Sequence, residues 1–488
     1  MTETSAGPRK LGNWIGGSWK EAAVGTGQAE VRNPATGEVL AVVPMSGRAE
    51  VEDAAAAALL AFRDWRKVPV PARARLLFRY RELLHGCRME LAAILTAENG
   101  KCLEEALGEV QRGIECVEFA AGAPTLMMGS QLPDIAGGIE SGMYRYPLGV
   151  VAGITPFNFP MMVPCWMFPL AVACGNAFLL KPSEKTPLLS CRLAELFAEA
   201  GFPPGVLNVV NGSKEAVDAL LEHPAIAAVS FVGSQPAAAA VHARAAAAGK
   251  RIQALAGAKN HSIVLADADL KAAASQIAAA AFGSAGQRCM ACSVVAVQES
   301  AAEAFMPLLQ DAAEALIVGD GARPGTPIGP LIDCGSRDRA LKLLELAIRD
   351  GAALLMDGRR GERNSDEAAF LGPTIAAEVT PDMAIWQEEL FAPILCVLTV
   401  PDLKAGIALA NRSRYANGAC LFTDSAAAVR EFREEMDAGM LGVNLGVPAP
   451  MAFFPFSGAK SSFYGDLHAN GRDGVEFYTR KKMVTARY

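Results

Sequence analysis

Histidine is scarce: the 488-residue chain has five, at positions 85, 223, 242, 261 and 468. None sits at metal-ligand spacing, and no second Cys-x-x-Cys pair accompanies Cys289 and Cys292. A bound metal is therefore not expected. Positive charge is also in short supply. Lys and Arg total 45 against 52 Asp and Glu, a formal net charge of −7, which removes the basic face that a nucleic-acid partner requires. Disorder is excluded as the main state, because 51% of residues are hydrophobic and only 20% charged. A disulfide framework is missing too: the 11 cysteines are odd in number and irregularly spaced, as expected of reduced thiols in a reducing compartment. Met1 to Lys10 has no apolar run and no Arg-rich amphipathic pattern. The expected location is the cytoplasm.

One segment imitates a membrane span. From Tyr146 to Leu180 there is no charged residue. Prolines at 147, 156, 160, 164 and 169 interrupt it, and each interior proline costs a helix about 3 kcal/mol. The pattern predicts instead a buried strand (149–154), a loop (155–160), an apolar helix and a second buried strand (177–180). Apolar strands alternating with helices mark a parallel sheet covered on both faces. The rhythm continues through a helix at 190–200, strands at 205–210 and 226–232, a helix to 248 and a strand at 252–256. Ahead of it, 49–65, 71–99 and 104–121 read as amphipathic helices. A second alternation starts near Asn260, with a boundary at Gly257-Ala258. Residues 129–149 and the tail after Gly458 are rich in turn residues and alternating strand formers, which predicts a small antiparallel flap or oligomer contact.

Four local patterns bear on chemistry. Gly283-Ser284-Ala285-Gly286-Gln287-Arg288-Cys289 lets the backbone turn tightly before a cysteine, and a neighbouring cation favours the nucleophilic thiolate. Read alone, Cys289 fits equally well a core thiol after a helix-capping glycine. Asn158, in a Pro-flanked loop at a strand end, is a candidate amide donor to an oxyanion, or ordinary turn chemistry. Lys181, Glu184 and Lys185 follow a buried strand and suit ribose hydroxyls, or a solvated loop. Gly233-Ser234 begins a helix whose free N–H groups can receive a phosphate. No G-x-G-x-x-G follows any expected strand, so the usual dinucleotide fingerprint is absent.

Taken in order, these segments resemble the aldehyde dehydrogenase superfamily from Gly12-Asn13-Trp14-Ile15-Gly16-Gly17 onward. Pro160 to Pro169, Gly257-Ala258-Lys259-Asn260-His261, Gly286 to Met290 and Val447 to Gly458 are similar to its CoA-acylating methylmalonate- and malonate-semialdehyde branch. The resemblance implies an α/β fold of three parts. These are a doubly wound NAD-binding domain (1–131 and 150–257), an α/β catalytic domain (258–458), and an oligomerisation flap (132–149 and 459–488) that builds a dimer or homotetramer. It implies Cys289 as nucleophile, with Asn158 and the Cys289 N–H stabilising the oxyanion. Thr155, Phe157, Lys181, Glu184, Lys185, Ser234 and Glu389 are implied to hold NAD, and Glu184 should disfavour a 2′-phosphate. Ala256 and Lys185 depart from the common Thr and Arg.

Hydrolytic relatives carry a glutamate that activates water where this chain has Leu255. Leucine accepts no proton, so CoA is the implied acyl acceptor, with a hydrolytic enzyme and a non-catalytic structural protein as rivals. The implied substrate carries a carboxylate two bonds from its aldehyde carbon, which Arg112 and Arg288 are expected to grip. Propionyl-CoA or acetyl-CoA would result, in valine or inositol breakdown. No membrane partner is expected.

Overall fold

The computed structural model describes residues 8–360 and 369–488. Residues 1–7 and 361–368, the parts of the expected first and second domains that fall there, lie outside the described residues. Two large sheets organise the chain. The first has eight strands, in the order Phe463–Gly465, Arg251–Leu255, Ile226–Val232, Val150–Ile154, Ala177–Lys181, Leu207–Val209, Asn13–Ile15, Ser18–Lys20. Its five central strands are parallel. The chain winds outward in one direction from Val150–Ile154 and then returns to lay Ile226–Val232 on its other side. Such a reversal opens a crevice at the carboxyl ends of the strands. Register aligns those ends, because Ile154 pairs with both Phe231 and Lys181, and Val232 pairs with Leu255.

The second sheet runs Ala353–Met356, Thr374–Ala377, Ile394–Val400, Cys292–Gln298, Asn260–Val264, Gly418–Phe422, Met440–Val443, and only its first strand is antiparallel. The strands either side of Gly257-Ala258 thus belong to different sheets. The charge-free stretch forms the buried strand Val150–Ile154, the buried helix Met162–Ala173 and the buried strand Ala177–Lys181. Among the described residues no helix is long and apolar enough to cross a membrane.

Three expectations change. The single helix at 71–99 is two, Val70–Gly86 and Arg88–Asn99. Cys87 leaves helical geometry (φ −92°, ψ 9°), so its N–H caps one helix while its carbonyl starts the next. The tail 459–488, expected to belong wholly to the flap, divides. Phe463–Gly465 pairs antiparallel with Arg251–Leu255 in the first sheet, and Thr479–Arg487 joins Ser130–Ala136 and Ile139–Pro147 in the three-stranded flap. The early strands Arg9–Lys10, Gln28–Arg32 and Val39–Pro44 form a small sheet of their own, in a stretch where the sequence reading assigns no elements.

A buried carboxyl ties two helices together. Glu98 is fully buried and accepts the N–H groups of Leu188 and Leu189 at 2.8 and 3.0 Å, capping the helix Leu188–Glu199. Burial pushes its carboxyl from 4.5 up to about 8. Between those values the native state keeps a proton that the unfolded chain releases. The stability this group contributes is complete below the unfolded value and is lost as pH rises through the folded one. Glu98→Gln should therefore remove a slope of up to about 1.4 kcal/mol per pH unit between pH 5 and 8. Urea titrations of both proteins across that range check it.

Candidate functional site

A cleft of about 410 Å3 lies where the two sheets meet. The first sheet contributes the loops leaving the carboxyl ends of its strands: Thr155 to Phe159, Ser183 to Lys185, Gly233-Ser234, and Leu255-Ala256. The second contributes residues just before the amino ends of its strands: Cys289 before Cys292–Gln298, Glu389 and Phe391 before Ile394–Val400, and Asn417 before Gly418–Phe422. Nine expected residues are brought together on this wall: Cys289, Asn158, Thr155, Phe157, Lys181, Glu184, Lys185, Ser234 and Glu389.

The turn before Cys289 is built differently from its sequence. Gly286 has φ +70°, and a Cβ there would lie 2.2 Å from the Ala392 carbonyl oxygen. Gly283 leaves space for the Arg288 guanidinium, which a Cβ there would displace. The left-handed turn itself is carried by the non-glycines Ser284 (φ 49°) and Ala285 (φ 51°), a conformation that costs an L-residue about 1–2 kcal/mol. Beyond the turn, Asn260 Nδ2 and Asn417 Nδ2 both donate to the Cys289 carbonyl, at 2.9 and 3.0 Å. Cys289 is thereby fixed to two adjacent strands of the second sheet.

The thiol is neutral in this state. Burial, with the charge of Glu389 nearby, pushes it up to about 12, against the pull of the Cys289 and Met290 N–H groups and of Arg288. Arg288 pulls the thiol toward ionisation, as expected of a neighbouring cation, but desolvation outweighs it. Nor does Arg288 line the cleft. Its guanidinium pairs with Glu105 and contacts Ser284 Oγ at 3.4 Å.

Asn158 is buried and donates through Nδ2 to the Gln287 carbonyl at 2.9 Å, which joins its loop to that of Cys289. An amide has two N–H bonds, so the second can serve an oxyanion. The loop is anchored behind: the Phe157 carbonyl accepts from Asn99 Nδ2 at 3.0 Å and Thr186 Oγ1 at 3.3 Å. Phe157 meets Phe391 edge to face with ring centres 5.9 Å apart.

The rest of the cleft suits a dinucleotide. Thr155 Oγ1 is buried, and among the described residues it has no hydrogen-bond partner. Such a hydroxyl needs one. Ser234 stands at the N-cap of Gln235–Ala247 and makes no side-chain cap bond, so that helix start is open to a phosphate. Lys181 is buried, which lowers its ammonium, and lies 3.5 Å from Glu184. Lys185 reaches Asp333 at 2.5 Å with its ammonium 5.4 Å from the Phe157 ring centre. Glu389 accepts the Ala258 N–H at 2.9 Å, and burial raises its carboxyl to about 7. Gly257 is required beside it, since a Cβ there would come within 2.7 Å of Glu389 Oε2.

Arg112 borders a separate cavity of about 40 Å3, bonded to Glu115 Oε2 at 2.9 Å and to the Pro450 carbonyl at 2.5 Å. Trp166 and Phe456, with ring centres 4.8 Å apart, line both this cavity and the cleft. Sequence reasoning assigned no role to Asn417, Arg339 or Trp166, whose neighbours in space are distant in the chain. Among the described residues no group of His, Cys, Asp and Glu could hold a metal ion.

Comparison with known proteins agrees with this geometry. Residues 19–484 match the aldehyde dehydrogenase family. The chain is 64% identical to malonate-semialdehyde dehydrogenase 3 of Geobacillus kaustophilus over all 488 residues, the full length of both proteins. It superposes on methylmalonate-semialdehyde dehydrogenase from Oceanimonas doudoroffii with a TM-score of 0.96, at 44% identity and 98% coverage of each chain. A proposed methylmalonate-semialdehyde dehydrogenase from Sinorhizobium meliloti 1021, solved with NAD, gives 0.97 at 41% identity and 99% coverage of each. The chain belongs to the aldehyde dehydrogenase family, and it is an oxidoreductase acting on aldehydes.

Proposed function

We propose that this enzyme oxidises malonate semialdehyde to acetyl-CoA and methylmalonate semialdehyde to propionyl-CoA, using NAD and CoA and releasing the β-carboxyl as CO2 or bicarbonate. The observation that carries the reading is Leu255. It ends the strand Arg251–Leu255 and lines the same cleft as Cys289, where hydrolytic relatives carry the glutamate that activates water. With an alkyl group there, an acyl-enzyme lacks the base that hydrolytic relatives aim at water, whereas an ionised thiol needs none.

Cys289 Sγ adds to the aldehyde carbon and loses its proton. Glu389 is the cleft carboxylate whose charge acts on that sulfur, and it can take a proton near neutral pH. The second Asn158 N–H and the Cys289 N–H stabilise the resulting oxyanion. When bound, NAD supplies the hydride acceptor that turns this adduct into a thioester on Cys289. Thr155, Phe157, Lys181, Glu184, Lys185, Ser234 and Glu389 would hold it, a reading supported by the orphaned Thr155 hydroxyl and by the relative solved with NAD. Arg112 would bind the substrate carboxylate and Arg288 would support the Cys289 turn. Before or during acyl transfer the C–C bond to the β-carboxyl breaks, CO2 leaves, and the carbon left behind takes up a proton. Attack by the CoA thiolate breaks the acyl C–Sγ bond and frees the Cys289 thiolate, which then regains its proton. Assembly of identical subunits through the flap, whose outer strand Ser130–Ala136 is exposed throughout, belongs to the same proposal. So does a cytoplasmic place in valine or inositol breakdown.

With CoA omitted, malonate semialdehyde should yield NADH in a burst of one equivalent per subunit and then stop. Hydrolysis is the second reading, favoured by the presence of Glu389 on the Cys289 wall. Steady NADH formation without CoA, with free acid as product, would establish hydrolysis and remove CoA from the scheme.

A further inference from the structure

One helix, Leu103–Ala121, touches both halves of the reaction centre. Glu105 accepts the Ser284 N–H at 3.0 and 3.1 Å and Ser284 Oγ at 2.7 Å, and it pairs with the Arg288 guanidinium. These contacts hold the left-handed turn that ends in Cys289. One turn further on, roughly 6 Å along the axis, Glu109 holds the other half. Its Oε1 accepts the Met161 and Met162 N–H groups at 2.8 and 3.1 Å, and its Oε2 takes Lys101 Nζ at 2.5 Å. Lys101 also donates to the Asn158 carbonyl at 2.8 Å and lies 4.3 Å from the Phe159 ring centre. The side chains of Lys101 and Glu109 are only 2% and 1% exposed. A buried ion pair contributes little net stability against an apolar replacement, so a geometric role accounts for it better.

We infer that Glu105 and Glu109, together with Lys101, are positioning residues that set the distance between the Cys289 sulfur and the Asn158 amide. The two carboxylates share one helix, so that helix, beside the direct Asn158–Gln287 bond, sets the spacing of nucleophile and oxyanion donor. This rests on the roles given above to Cys289 and Asn158 and is independent of which acyl acceptor is used. A misplacement of about 1 Å can cost about 10²-fold in rate.

Two measurements separate the halves. Alkylation of Cys289 by iodoacetamide, followed on the Cys289 peptide by mass spectrometry, forms no oxyanion; the first turnover of NADH does. Glu109→Gln should slow the first turnover about 10–100-fold while alkylation and the KM for NAD stay within about threefold. The double variant Lys101→Met/Glu109→Gln removes both buried charges together and should show the same split even if the single variant folds poorly. Glu105→Gln should slow both reactions. Equal slowing of alkylation and turnover in the folded Glu109 variants would overturn the inference, as would an unchanged first turnover. The first turnover needs no CoA, so failure of the CoA assignment would leave these results untouched.

Discussion

Asn158→Ala should lower the rate of NADH formation by about 10²–10³-fold, the loss that follows removal of one preorganised oxyanion donor. The donor is preorganised in three ways. Its side chain is buried, its first N–H is fixed on the Gln287 carbonyl, and its own carbonyl is held by the Lys101 ammonium. No reorganisation is needed when negative charge develops on the aldehyde oxygen. The loss should fall on kcat, with NAD affinity changed by less than about threefold, because the interaction is realised only in the transition state. Steady-state kinetics beside a fluorescence titration with NAD measure both quantities. A drop of less than about tenfold would transfer the oxyanion to the backbone N–H alone.

Arg112→Ala should have the next largest effect, on selectivity rather than on chemistry. Charge-assisted bonds to a carboxylate contribute about 1.5–3 kcal/mol each, so the preference for malonate semialdehyde over propanal should fall about 10–100-fold. The geometry explains why the effect is confined to the carboxylated aldehyde. Arg112 lies beyond Trp166 and Phe456, which line both the Cys289 cleft and the small Arg112 cavity. In the proposed reaction the substrate carboxylate must reach past that wall to the guanidinium, whereas propanal has no carboxylate to offer it. The Glu115 and Pro450 contacts keep the guanidinium oriented. Arg112→Lys should recover only part of the preference, because an ammonium cannot make the forked contact. Measurement of kcat/KM for both aldehydes decides it, and equal losses for the two would remove Arg112 from the substrate site.

The cleft was legible in the sequence to the extent that its residues sit at strand ends. Thr155, Lys181, Ser234 and Leu255 each follow or close an apolar run, and parallel register brings all such ends to one edge. Cys289 and Asn158 were visible as a thiol and an amide beside glycines and prolines, and the structure places both in one cleft. The orientation of Arg288 was not, because its partner Glu105 lies on a helix far away in the chain and looks there like any surface carboxylate. The same holds for Glu109 on the helix and for Lys101 in the connection before it, since neither position carries a sign that both side chains are buried. The break at Cys87 had one signal, Gly86 directly before it, which the helical periodicity on either side obscured. The division of the tail depended on which strand Phe463–Gly465 would meet, a tertiary choice that alternation alone leaves open.

Asn417 is followed by Gly418, the dipeptide most prone to cyclise to a succinimide and lose its amide. That reaction requires the glycine nitrogen to attack the asparagine side chain. Here the Gly418 N–H is bound to Asn260 Oδ1 at 3.0 Å and opens a strand buried along its length. The bond that ties the nucleophile's support into the second sheet therefore also guards against chemical ageing. Deamidation would replace the amide donor on the Cys289 carbonyl with a repelling carboxylate.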